Sequence, residues 1–150
     1  MLGVVIWKAV HVAAMFGVVT LWVGAWIVWD LVARSGDRSA LRRVDHISQR
    51  TGQLGFYLLI IGVAAGFATA LTGGIDLTAP WLLLAYALLL SDLVVLRWAT
   101  SYVARVRQAQ DDETQDLISV ASSGRANLTL VVLVGFWLLL ILDMVIKPFQ

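Results

Sequence analysis

Lys8, His11 and Met15 share one face of the first apolar stretch, and Val18, Trp22, Trp26 and Trp29 continue that face. Steps of three and four residues keep all of them on one side of a helix. An imidazole in such a place either hydrogen-bonds across a helix bundle or ligates iron or another metal. The second reading makes His11 the ligand of a haem iron or another metal. Lys8 would then stand near a propionate or behind the ligand, with Met15 and Trp22 as the pocket wall. Aromatic residues near both ends of the spans have a simpler reading as membrane-interface belts, with Trp26, Trp29 and Trp98 at one surface and Trp7 and Trp81 at the other.

Two aspartates also fall within apolar runs. Asp92 is expected to pair with Arg97 or with a serine or tyrosine of a neighbouring helix, or else to relay a proton. Asp143 has Lys147 four residues on, the spacing of an interfacial helix pair. Other chemistry is excluded by what the chain lacks. It has no cysteine, hence no disulfide, thiolate metal site or cysteine nucleophile. It carries no phosphate-binding glycine loop, nucleophile elbow or catalytic triad, so no catalytic residue is assigned.

The elements that must position these groups are four long apolar runs, at about residues 4–29, 54–71, 80–100 and 128–146. Each has roughly the ~20 residues needed to cross a ~30 Å hydrocarbon layer. The chain is 60% hydrophobic and 14% charged, against about 25% charged in soluble domains. The expected fold is all-α: one integral membrane domain over residues 1–150, an up-and-down bundle of four transmembrane helices. The first run is too long for a signal-peptide core, has no basic segment before it and is expected to stay as a helix.

Nine of the eleven basic residues lie in two segments: Arg34, Arg38, Arg42, Arg43 and Arg50, then Arg97, Arg105, Arg107 and Arg125. Basic loops stay cytoplasmic. The chain is therefore expected to sit in its membrane with both termini outside. These arginines are orientation signals and contacts for anionic lipid heads, not a nucleic-acid surface. His46, the other histidine, falls in the first basic loop, across the membrane from His11, so the two cannot share one iron. Met15, one turn from His11 on the same face, cannot reach the far side of a bound ring. A haem on His11 is then five-coordinate or takes Lys8, water or a neighbouring chain.

Gly73 and Gly74 end the second run and Pro80 opens the third, a short turn that predicts antiparallel neighbours. Residues 39–50 and 108–119 are free of Pro and Gly and are expected to extend as helix beyond the membrane. Gly62, Gly66 and Ala70 form a small-residue stripe that lets another helix approach closely, most simply one of the same chain. A shift of 71 residues lays Val32-Ala33-Arg34 on Val103-Ala104-Arg105, Asp45 on Asp116, and the first hairpin of helices on the second. The chain thus reads as two duplicated helical hairpins, or as two polar loops alike by chance.

Lys8-Ala-Val-His11 with Gly24, the stretch from Gly66 through Gly74 and Leu77 to Pro80-Trp81-Leu82, and the closing Lys147-Pro148-Phe149 resemble an uncharacterised bacterial family of small four-helix membrane proteins. That resemblance covers nearly the whole chain, and the family is similar in layout to HemJ-type protoporphyrinogen oxidases and CopD-type membrane proteins. HemJ-type proteins open with Lys-x-x-His, end in Lys-Pro-Phe and carry Arg-x-x-Asn at the start of the fourth helix, to which Arg125-Ala-Asn127 is one residue short. Their third helix bears a histidine and a lysine; here it reads Trp81-Leu-Leu-Leu-Ala-Tyr86. The resemblance implies haem b with His11 as ligand. The resulting expectation is a small membrane subunit of redox metabolism beside a respiratory or photosynthetic complex. The alternative is a cofactor-free accessory or assembly subunit. Expected partners are the lipid bilayer and other membrane-protein subunits or further copies of the chain. A carrier centred on Asp92 is a third reading.

Overall fold

The computed structural model describes residues 2–146, with the side chains of Arg125, Ala126, Leu130 and residues 143–146 outside the described set. Five helices follow in order: α1 (Leu2–Ser35), α2 (Arg38–Thr72), α3 (Pro80–Asp111), α4 (Leu117–Ala121) and α5 (Gly124–Ile146). No strand occurs among the described residues. Helices α1, α2 and α3 are long and apolar enough to cross a membrane, and α5 contains a shorter apolar stretch over Asn127–Leu142. Most of each apolar stretch faces outward: Val12, Phe16, Phe56, Ile60, Leu90 and Val94 are all exposed. Exposed apolar surface of that extent suits contact with lipid rather than with water.

The apolar runs are parts of longer helices. α2 begins sixteen residues before its apolar run and takes in all of residues 39–50 as helix. α1 and α2 are joined by Gly36 and Asp37 alone. Gly36 adopts φ +76°, the left-handed conformation that ends a helix cheaply only without a β-carbon. Asp37 then caps α2, its Oδ1 accepting from the Ala40 N–H at 2.9 Å. The second polar segment behaves differently. α3 stops at Asp111, Asp112 accepts from the Thr114 backbone and hydroxyl, and Asp116 caps the short α4. Residues 108–119 are thus helix, turn and helix.

Three aspartates in these turns share one electrostatic property. The Ala40 N–H, then the Ser39 hydroxyl, hold the Asp37 carboxyl below its ordinary value of 3.8. The Thr78 hydroxyl and then its N–H do so for Asp76, and the Thr114 hydroxyl and then its N–H for Asp112. A carboxyl lowered on folding stabilises the fold above its unfolded value, and the contribution is lost as pH falls through the folded value. Acidification below that carboxylate range is therefore expected to fray the start of α2 and both turns. Protection of the Ala40 amide, its exchange rate set against the intrinsic rate at the same pH, should fall there, and Asp37→Asn should remove that fall. Protection at Ala40 that ignores pH in the wild-type chain would count against the cap.

α1 packs chiefly on α2, and α3 chiefly on α5. The short turn over residues 73–79 was expected to make the second and third spans neighbours. They meet near that turn, where Phe67 and Tyr86 stack with centroids 5.8 Å apart, but each has its main partner elsewhere. The Gly73-Gly74 turn, with Gly74 at φ +66°, lets the two helices diverge. Two apolar clusters hold the bundle. One joins Val18, Leu59, Ala99, Leu133, Trp137 and Leu140 across α1, α2, α3 and α5. The other, at the basic end, gathers Trp29, Ala33, Leu41, Tyr102, Val106 and Leu117.

Candidate functional site

The α1 stripe lies in the small-residue groove of α2. The His11 ring sits over Gly66, where an added Cβ would stand 3.0 Å from Nδ1, and Nδ1–H donates to the Gly62 carbonyl at 2.7 Å. Met15 covers Gly62, its Sδ 2.8 Å from where a Cβ would be. Trp22 covers Gly55, its pyrrole edge occupying the place of a Cβ, and its Nε1–H donates to the Gly52 carbonyl at 3.1 Å. Leu58 fills the matching niche at Gly17 from the other side. Close backbone approach replaces the hydrophobic drive that lipid does not supply. The partner of the small-residue stripe is therefore α1 of the same chain.

The four residues assigned to a haem pocket are thus spread over different tasks. His11, Met15 and Trp22 are brought together along one helix face, and that face is in contact with α2. Lys8 is exposed at the end of α1. Two open clefts are lined by Gln49, Gly52, Gln53, Phe56 and Tyr57, and by Arg42, Asp45, Arg107, Gln110 and Asp111; neither of these borders His11. The donor set fits haem at one point. With Nδ1–H held by the Gly62 carbonyl, the ring is oriented through one nitrogen by a backbone carbonyl, as ligating histidines commonly are. Met15 and Trp22 do not fit a pocket wall, because each fills a glycine niche. Among the described residues no three His, Cys, Asp or Glu side chains come together as a metal-binding group. The Asp143–Lys147 pair, Arg125 and the Lys147-Pro148-Phe149 ending lie outside the described residues.

The basic end carries a polar junction that the sequence reading did not assemble. Asp30, 3% exposed, accepts from Arg34 Nε at 2.6 Å and from the Tyr102 hydroxyl at 3.0 Å. That hydroxyl also lies 3.1 Å from the Ala121 carbonyl. Asp45 receives Arg107 through Nε and Nη2, at 3.0 and 2.8 Å, and the Trp29 indole N–H at 3.1 Å. Arg38 donates to the carbonyls of Ala109, Gln110 and Gln115. Trp26, Trp29 and Tyr102 pack ring to ring, with centroids about 6 Å apart. The belt reading therefore changes for two residues. Trp29 and Trp81 are buried and Trp26 is half-buried, whereas Trp7 and Trp98 are exposed.

Asp92 is buried, with no hydrogen-bond partner for Oδ1. The expected pairing with Arg97 does not form: Arg97 is exposed on another side of α3, and no described serine or tyrosine reaches the carboxyl. The signal that could have flagged it is its place in the stripe Trp81, Ala85, Asp92, Ala99, the buried seam of α3. No family model, curated protein or solved structure matches this chain.

Proposed function

We propose that this chain is a four-span protein of the bacterial cytoplasmic membrane, with basic loops cytoplasmic and both termini outside, acting as a cofactor-free accessory or assembly subunit beside larger membrane proteins. The observation that carries this reading is the use made of α1: His11, Met15 and Trp22 are engaged with glycines of α2. Side chains spent on helix packing support a scaffold. A duplicated pair of hairpins suits the same reading. It is supported by contacts between residues 71 or 72 positions apart, Arg38 with Ala109 and Asp30 with Tyr102, as expected near an axis relating two repeats.

A second reading keeps haem b on His11, within a redox subunit related to HemJ-type or CopD-type proteins. It is favoured by the His11 Nδ1–H bond to Gly62. Haem would supply one-electron chemistry; the chain would supply His11 and the carbonyl that orients it. A reduced-minus-oxidised spectrum with a pyridine haemochrome assay, on protein extracted in mild detergent from its native membrane, separates the two. A colourless sample migrating with larger subunits is expected. A b-type band at near-stoichiometric amount that disappears in His11→Ala would overturn the accessory reading.

A further inference from the structure

The seam of α3 holds one group that its surroundings leave unsatisfied. Trp81, Ala85, Asp92, Ala99, Tyr102 and Val106 are among its buried positions, and their spacing makes one helical stripe. Asp92 is 2% exposed. It lies about 18 Å along the helix from Pro80 at 1.5 Å per residue, near the middle of a ~30 Å hydrocarbon layer. Leu88, Leu89 and Val95, on either side of it, pack into the cluster of Val18, Leu59, Leu133, Trp137 and Leu140. An indole N–H, that of Trp26, is buried without an acceptor at the edge of the same cluster.

The charged and titratable groups of the helices around this seam are otherwise engaged or distant. On α1, His11 bonds Gly62, Asp30 bonds Arg34 and Tyr102, and Lys8 is exposed. On α2, Arg38, Arg42, Arg43, Asp45, His46 and Arg50 all precede the apolar run, whose tyrosine, Tyr57, is exposed. On α3, Tyr86 stacks on Phe67 and Arg97 and Arg105 are exposed; Arg107, half-exposed, holds Asp45. On α5, Arg125 and Asp143 are outside the described side chains. A carboxylate buried without a partner costs several kcal/mol, and an ionisable group kept inside a membrane marks a pathway or a site. With no described cation in reach, the species that relieves a lone carboxylate in hydrocarbon is a proton.

We propose that Asp92 is a proton-binding site inside the bilayer, a carboxyl that takes up and releases a proton in the seam between α3 and the rest of the bundle. A lipid-soluble carbodiimide tests this directly, because it reacts with a protonated carboxyl. The acid proton passes to a carbodiimide nitrogen while the carboxyl oxygen bonds to the central carbon. The O-acylisourea so formed rearranges to an N-acylurea, a net addition with no leaving group.

The full chain in detergent micelles is treated with dicyclohexylcarbodiimide and its peptides are mapped by mass spectrometry. The expected result is a near-stoichiometric adduct on Asp92 that falls several-fold from mildly acidic to alkaline buffer. Asp92→Asn should lose it and Asp92→Glu should keep it. A water-soluble carbodiimide with an amine nucleophile should mark Asp37 and Asp112 and leave Asp92 untouched. The wild-type map needs no variant to fold. A wild-type protein without the adduct, or with one indifferent to pH, overturns the proposal.

Discussion

Adding a single methyl group at Gly55 is expected to lower the stability of the bundle by about 2–4 kcal/mol, and Gly55→Val by more. A Cβ there would overlap the pyrrole edge of Trp22. The indole cannot simply swing aside. Its N–H is held by the Gly52 carbonyl at 3.1 Å, and its ring meets Trp137 edge-on, centroids 6.1 Å apart at 82°. Overpacking a rigid site costs about 1–3 kcal/mol, and losing the hydrogen bond adds about 1. Gly62→Ala meets the flexible thioether of Met15 instead, which can re-route, so its cost should be smaller. Gly24→Ala meets nothing within 4 Å and should stabilise α1 by about 0.5–1 kcal/mol through helix preference. Unfolding in mixed micelles, followed by far-ultraviolet circular dichroism, ranks the three. Equal midpoints for Gly55→Ala and Gly24→Ala would remove the α1–α2 groove from the account.

Arg34→Ala is the second substitution of large effect, with an expected loss of about 3 kcal/mol. It leaves the Asp30 carboxylate buried with Tyr102 as its remaining partner. Breaking a buried pair by removing one member costs about 3–5 kcal/mol, because the other charge stays behind. The lower end applies here, since the Arg34 side chain is 27% exposed and that of Asp30 4%. Replacing both by leucine should recover most of the loss, as apolar packing substitutes for buried ion pairs at little cost. Tyr102→Phe should cost about 1.5–3 kcal/mol, the value of a hydrogen bond to a charged group. A double-mutant cycle on Asp30 and Arg34 gives the coupling directly. A leucine pair no better than Arg34→Ala alone would show that the junction holds the hairpins by something other than charge.

Much of the architecture is local and could be read along the chain. Apolar runs of twenty residues announce spans because length and composition alone decide whether a helix can replace water with lipid. Gly73-Gly74 and Pro80 announced a turn for equally local reasons. The helical character of residues 39–50 was legible too, since it needs only the absence of breakers. The break after Asp111 was not. It depends on Asp112 and Asp116 capping in place of continuing a helix, and aspartate serves in either position.

The candidate site divides along the same line. Helical spacing alone put His11, Met15 and Trp22 on one face, and the glycine spacing of α2 marked a close-packing stripe. Nothing in either pattern said that the two faces meet. That is decided by the two-residue turn at Gly36 and Asp37, which folds α1 back on α2 and seats each large side chain over a glycine. The Asp30–Tyr102 and Asp45–Arg107 contacts join residues 72 and 62 positions apart, and only packed helices bring such distant positions within hydrogen-bond reach. Asp92 is the clearest case. Its sequence made it a charge in a membrane span; the tertiary structure alone decided that no neighbour among the described residues answers it, because the register of α3 sets Arg97 on an exposed side and fills the facing seam with leucine, valine and tryptophan.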